Sequence, residues 1–366
     1  MPGILLNFLC IHLKAYFLKN ETMKMIEEQN LLTSYNFARG CNKVFVEAVT
    51  HDQYEIVKTS SSKIVGKNTE MIIYKNTNIE IHENDSIFCH SSFINEFFFH
   101  LKKIKNLNNL KLITSQSDVQ INKKLYISKP DCISEWYSIN VNHNAENLIP
   151  IPLGLANNYS PKNIRFSDLR NNKSKEEKKK NKIYCNFNPN TNDKERQDIF
   201  HMSKKDKIFS FDHPSLSISE YINKIDKYKY VLAPWGNGFD THRVWEALYL
   251  GSIPIIKRHV TYQYLDENSI LFIDEYEDIN KSTIENFEKR YSELKQEILN
   301  IEFWIMKIHK NKITSHEKST LIESKLMTMY RVVEQKLVYK LKSYKKKIKY
   351  YFKKIIKAYS KIVQKN

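Results

Sequence analysis

Cysteine is sparse and unpaired in pattern. The five residues Cys10, Cys41, Cys89, Cys132 and Cys185 form no C-x-x-C. That argues against a zinc site or a disulfide framework and fits a reducing compartment. No segment reaches the ~18–20 uninterrupted apolar residues of a membrane span. The N-terminal MPGILLNFLCIHLKAYFLKN is apolar only until His12 and Lys14 interrupt it. It has no basic leading region and no small-residue cleavage site, so a signal peptide is not expected and the cytoplasm is the simplest location. No G-x-G-x-x-G follows a first strand, which weighs against a dehydrogenase. The string D-x-D occurs nowhere. Glycine and alanine are scarce while Asn, Lys and Ile abound, the imprint of an AT-rich coding sequence rather than of function.

What is present is a globular composition, 41% hydrophobic with 12% aromatics, on a chain of 366 residues. That length suits two domains, each with its own core. The net charge of +17 invites a nucleic-acid reading. Its distribution argues otherwise: residues 335–366 hold twelve lysines and no acidic residue, leaving about +5 for everything else. A basic appendage is distinct from a basic fold.

Strand-like runs recur along the first half: KVFVEAV (43–49), SIFCHS (86–91), KLITS (111–115) and LIPIPLG (148–154). FINEFFFHLKKIKNL, between the second and third, has apolar residues at helical spacing. The charge run NNKSKEEKKKNK (171–182) reads as a linker or surface loop. The second half alternates more cleanly, with strands in KIYCNF, KIFSF, YKYVLAP, SIPIIK and ILFID, and helices in NDKERQDIF, SISEYINKI and THRVWEALYL. A further helical region begins near Asn280. Such alternation means parallel sheets. The expected architecture is α/β, two Rossmann-like domains facing across a cleft, with a basic amphipathic helix at the C-terminus. The expected divisions are 1–158, a linker at 159–182, 183–330 and a tail at 331–366.

VLAPWGNGFDTHRVWEALYLGSIPII (231–256) concentrates polar groups in one strand–loop–helix–strand connection. Ligands of parallel sheets sit beyond the carboxyl ends of the strands. Gly236, Asn237 and Gly238 would let backbone N–H groups approach a ligand, and Asp240 or Thr241 would cap the helix beginning at His242. Arg243 adds a fork of donors to the positive helix terminus, and together these describe a diphosphate site. Glu246, one turn on, would accept hydrogen bonds from vicinal sugar hydroxyls; otherwise it is an i,i+3 ion-pair partner of Arg243. Val244, Ala247, Leu248 and Leu250 read as core, and Gly251 as the helix stop.

These residues resemble the donor-site segment of exostosin-type glycosyltransferases, whose pattern is a glycine-rich loop, an Arg, then E-A-L-x-x-G-x-I-P-I. The matching positions are Gly236, Asn237, Gly238, Arg243, Glu246, Ala247, Leu248, Gly251, Ile253, Pro254 and Ile255. The tight match covers one strand–helix–strand unit; a looser one spans about 182–274. The resemblance implies a GT-B fold and sugar transfer from a nucleotide-diphosphate donor to a glycan or lipid-linked glycan acceptor, in cell-surface polysaccharide synthesis. This chain departs from the pattern in lacking D-x-D, so no metal is expected and Arg243 would meet the diphosphate charge; no other cofactor is implied. The competing reading is a non-catalytic nucleotide- or glycan-binding module.

Asn186 and Arg196 would stand near the cleft mouth, Arg196 either as a second diphosphate contact or as a helix arginine paired with Asp193. Phe211, Asp212 and His213 would frame the base. Asp118, past the strand KLITS, is the expected base for the acceptor hydroxyl, with His90, Glu96 and Asp131 as rivals. Ile151–Asn158 would supply a hinge or a plain turn. In the tail, Leu337, Leu341, Tyr344, Ile348, Tyr351, Ile355, Tyr359 and Ile362 recur at 4,3 spacing among lysines. That pattern suits an anionic membrane surface, at the inner face of the membrane, better than a coiled coil or nucleic acid.

Overall fold

The computed structural model describes residues 27–170, 179–310, 318–322 and 328–334, together with 336–337, 340–341 and 344. The expectations for the N-terminal apolar segment, for most of the linker charge run and for most of the basic tail lie outside the described residues.

The chain is α/β. Its first sheet is built from β1 (Lys43–Val49), β2 (Ser62–Lys67), β3 (Ile72–Asn76), β5 (Ser86–His90), β6 (Leu110–Ser115), β8 (Ile133–Ser138) and β10 (Leu148–Pro150). Their order is β10-β8-β6-β5-β1-β3-β2. The five strands from β10 to β1 run parallel, and the β2–β3 hairpin is added antiparallel along β1. β1 is buried from Phe45 to Val49 and apolar there except for Glu47, whose carboxylate is held by Arg39 and the Tyr74 hydroxyl. Phe45, Val46, Ala48 and Val49 are all buried. In helix Ile94–Leu101 the apolar positions fall on one stripe, and Phe97 meets Phe45 with ring centroids 4.9 Å apart. Short strands β4 (Asn78–His82), β7 (Ile121–Asn122) and β9 (Val141–Asn142) lie outside this sheet, β7 pairing with β9.

The second sheet holds β11 (Lys180–Cys185), β12 (Phe209–Phe211), β13 (Tyr228–Leu232), β14 (Ile253–Lys257) and β15 (Leu271–Ile273), all parallel, in the order β12-β11-β13-β14-β15. The order reverses between β11 and β13, which opens a crevice at their carboxyl ends. Helix Asp193–Lys205 follows β11 and helix His242–Tyr249 follows β13, so both begin beside that crevice.

After the second sheet the chain returns to the first. Residue Leu31 bridges to Asn300, and the His309 imidazole contacts the Gly40 carbonyl at 2.9 Å. Strand β16 (Lys318–Ile322) pairs antiparallel with β4. Glu96, buried, then holds Lys75 at 2.6 Å on one oxygen and Arg331 at 2.5 Å on the other. One apolar cluster joins the two sheets to the returning helix: Phe88, Ile113 and Tyr137 of the first sheet, Ala233 just past β13, Ile256 and Phe272 of the second, and Trp304 and Ile308 of helix Ile301–His309.

Candidate functional site

Between the two sheets lies a cavity of about 540 Å³ with a mostly polar wall. Its second-sheet side is the loop Gly236, Asn237, Gly238 and the helix start Asp240, Thr241, His242, Arg243 and Glu246, with Arg196 opposite. Its first-sheet side includes Ser115, Gln116, Ser117 and Asp118, which follow β6, and Asn157 and Tyr159. Eight of the nine residues singled out from the sequence therefore share one cavity. The ninth, Asn186, does not line it; its amide instead donates to the His213 carbonyl at 3.1 Å and braces the turn after β12. Phe211, Asp212 and His213 stay outside too, and Asp212 is paired with Lys224.

Arg196 is buried, and all three kinds of guanidinium nitrogen are spent on backbone carbonyls: Nε to Trp235 at 2.6 Å, Nη2 to Pro234 at 3.0 Å and Nη1 to Asn188 at 3.2 Å. Of the two alternatives for Arg196, the ion pair with Asp193 is not made. Burial, reinforced by the charge of Arg243, pulls the Arg196 pKa down to about 10. Arg243 is half-buried with its Nε unpartnered. Burial opposes its charge, but Tyr221 and Glu246 beside it more than offset that and raise its pKa. Among the described residues neither arginine makes a salt bridge. Two cations thus face one polar cavity without a carboxylate bound to either.

Three expectations need correction. The Gly236 N–H is not free for a ligand, because it donates to the Gly238 carbonyl at 3.0 Å. Gly238 is required by a different neighbour: a Cβ there would come 2.6 Å from the side-chain amide of Asn140. Asp240 does not cap the helix; Thr241 takes that position, yet without a side-chain cap bond, and its Oγ1 is buried and unpartnered. The Asp240 carboxylate accepts instead from the Leu153 N–H at 2.8 Å and the Trp245 indole at 3.0 Å, and burial raises its pKa to about 7. Glu246 accepts from the Tyr221 hydroxyl at 3.0 Å and the Ile164 N–H at 3.3 Å, so its oxygens already serve the protein. The first turn of the helix, uncapped, keeps N–H groups that have no intrahelical partner.

Asp118 is exposed at the cavity wall. The loop before it is fixed by Gln116, at φ +72°, whose amide exchanges two 2.8 Å hydrogen bonds with the backbone of Ala48. The rivals are elsewhere. Burial pushes the His90 imidazole down to about 4, Glu96 is locked in its ion pairs, and Asp131 lies away from the cavity.

Sequence reasoning missed Asn140 and Asn157. Asn140, buried at φ +53°, accepts the Asp240 N–H at 3.0 Å and fastens the glycine loop to the first sheet. An Asn two residues past a strand is a known tolerant of positive φ, and that was the only signal. Among the described residues no group of three or more His, Cys, Asp or Glu is placed to hold a metal ion, and no helix is long and apolar enough to cross a membrane. No protein-family model matches the chain, and no curated protein matches it.

Proposed function

We propose that the chain is a GT-B glycosyltransferase that moves a sugar from a nucleoside-diphosphate donor to a hydroxyl of a glycan or lipid-linked acceptor. The observation that carries this reading is the pair of guanidinium groups, Arg196 and Arg243, delivered by the helices after β11 and β13 to one cavity at the switch point, with no salt bridge to either. A diphosphate would meet Arg243 and the uncapped first turn of its helix, and the developing charge on the leaving phosphate would be stabilised there. Arg196 holds the carbonyls of Pro234 and Trp235 and so fixes the loop, while its charge adds to the same field. Glu246 acts as a positioning residue, holding the Tyr221 hydroxyl beside Arg243 and favouring its charge rather than grasping sugar hydroxyls. Asp118 takes the acceptor hydroxyl proton from the opposite wall.

The cationic tail would seat the enzyme on the inner, anionic face of a membrane, in the service of surface-polysaccharide synthesis. Its described residues Leu337, Leu341 and Tyr344 are helical and more than half exposed. The deciding measurement is thermal unfolding with UDP, GDP, dTDP and CMP in EDTA, for wild type and Arg243→Ala. A ligand at 100 times its Kd adds about 2.7 kcal/mol. One nucleotide that shifts the wild type and not the variant supports the reading. No shift from any, with or without added divalent metal, sinks it and favours a module that binds something else.

A further inference from the structure

A second cavity, of about 810 Å³, adjoins the first, within the size range of small-ligand sites. Its wall is mostly apolar, in contrast to the polar wall of its neighbour. Carbon is supplied by Leu31, Tyr35, Phe166, Ile301, Ile305 and Met306. The two cavities share Asn157 as a lining residue. Its amide donates to Ser34 Oγ at 2.6 Å and to the Tyr159 hydroxyl at 2.8 Å, both on the polar side, and accepts the Tyr35 N–H at 3.2 Å on the apolar side. The partition is thus one side chain thick.

The polar cavity is asymmetric in charge. Its arginines come only from the second sheet, whereas the first-sheet side carries no cation among the described residues: Ser34, Ser115, Ser117, Asn157, Tyr159 and Asn163 are neutral and Asp118 is acidic. The apolar cavity carries Glu27, Glu28 and Glu302 at its wall, and its arginine, Arg39, is already paired with Glu47.

We propose that the acceptor is an uncharged amphiphile. Its sugar hydroxyls lie against the cation-free, first-sheet wall of the polar cavity, within reach of Asp118, and its hydrocarbon passes Asn157 into the apolar one. The inference rests on the donor reading above, but it is tested separately. A phosphate between sugar and tail would fall beside Glu27, Glu28 and Glu302 where, among the described residues of that wall, the one arginine, Arg39, is already paired with Glu47, which is why the headgroup is neutral.

The test uses the full chain and a series of n-hexyl, n-heptyl and n-octyl β-glucosides below their micellar concentrations, titrated calorimetrically, with free glucose and n-octyl phosphate as comparisons. Each added methylene should tighten binding about threefold to fourfold. Met306→Glu, at a position 66% exposed and hence safe for folding, should weaken octyl glucoside at least tenfold and flatten the series. A series that is flat in the wild type, or unchanged in Met306→Glu, overturns the assignment. Octyl phosphate binding as tightly as octyl glucoside overturns the neutral headgroup. A nucleotide shift that persists while the alkyl series is flat removes this inference alone. An alkyl dependence without any nucleotide shift supports the apolar cavity and removes the donor reading.

Discussion

The seam between the glycine loop and the first sheet makes a quantitative prediction. Asn140 accepts the Asp240 N–H at 3.0 Å, and its amide leaves no room for a methyl on Gly238, which would lie 2.6 Å from both Nδ2 and Oδ1. Asn140→Gly keeps the positive φ without strain and removes the acceptor. It leaves a buried N–H unpaired, at a cost of about 1–3 kcal/mol. Gly238→Ala forces the amide aside, and overpacking of this kind costs about 1–3 kcal/mol, to which the loss of the Asp240 bond adds. In the double variant the new methyl occupies space that the missing amide vacates. The double cost should then fall short of the sum by roughly 1–3 kcal/mol, the coupling expected of residues in contact. Urea unfolding of the four proteins, followed by tryptophan fluorescence, gives the cycle. Additivity to within about 0.5 kcal/mol would refute the claim that Gly238 is small because Asn140 is there.

The remaining predictions concern charge. Burial raises the carboxyls of Asp240 and Glu47 to about 7 each, so the folded state holds their protons more tightly than the unfolded state does. Their contribution is complete below about pH 4 and is lost as pH rises through 7, on the order of 4 kcal/mol at most for Asp240. The imidazoles of His90 and His259, which burial holds down to about 4, work in the opposite sense over part of that range. The sign is therefore read by difference: the wild type should lose stability relative to Asp240→Asn between pH 4 and 8, as compared by urea midpoints across pH. Glu96→Ala takes away the carboxylate that Lys75 and Arg331 share and should cost about 3–5 kcal/mol, most of it restored by adding Lys75→Met. Arg196→Lys keeps a charge but loses the three-way grip on the loop carbonyls, and should weaken nucleoside-diphosphate binding by about tenfold to a hundredfold in the thermal titration. Asp118→Asn, at an exposed position, should leave the unfolding midpoint alone and lower the transfer rate about 10²- to 10⁴-fold with KM little changed.

The second sheet was legible because its strands are short apolar runs set between helices with clear starts. The helix expected near Asn280 begins at Lys281 with Asn280 as its cap, and Ser217 forms a capping box with Glu220. The first half hid six strands, β2, β3, β4, β7, β8 and β9. β2, SKIVGK, is half exposed and lysine-bounded, β4 alternates Ile79 and Ile81 with polar residues over only five positions, and β8, ISEWYS, carries Ser and Glu in a buried strand. Among the described residues β2 pairs only with its hairpin neighbour β3, whereas β4 is stabilised by a strand 240 residues later, and no local pattern reports that pairing. The site was legible by residue type and less so by role. Gly236, Gly238, Arg196, Arg243 and Asp118 do meet in one cavity, but Asp240 and Glu246 turn their carboxylates to protein donors. A carboxylate near a glycine loop looks the same in sequence whether it faces a ligand or a backbone N–H.

That distinction bears on motion. The segment around Gly154 reads in sequence as a hinge or a turn, and the structure uses it as neither a loose joint nor a free turn. Gly154 sits at φ +70°, where a Cβ would come 2.2 Å from the Leu32 carbonyl. Its own carbonyl binds the His242 ring at 2.8 Å, and the next residue, Leu155, donates to the Leu32 carbonyl at 2.8 Å. Asp240 to Leu153, Glu246 to Ile164, Thr261 to Val141 and Tyr249 to Leu32 add further ties from the second sheet's helices and loops to the first half. Rocking one sheet against the other would break these bonds together and expose the apolar cluster that contains Trp245 and Trp304. Each such bond contributes about 0.5–1.5 kcal/mol, and a buried large side chain roughly 1.5–3 kcal/mol, so the open state would lie far above the closed one. Exclusion of water from the reacting groups must therefore come from smaller movements: the exposed Asn237 at the loop tip and the Ser117–Asp118 turn are among the parts of the wall that none of these ties holds.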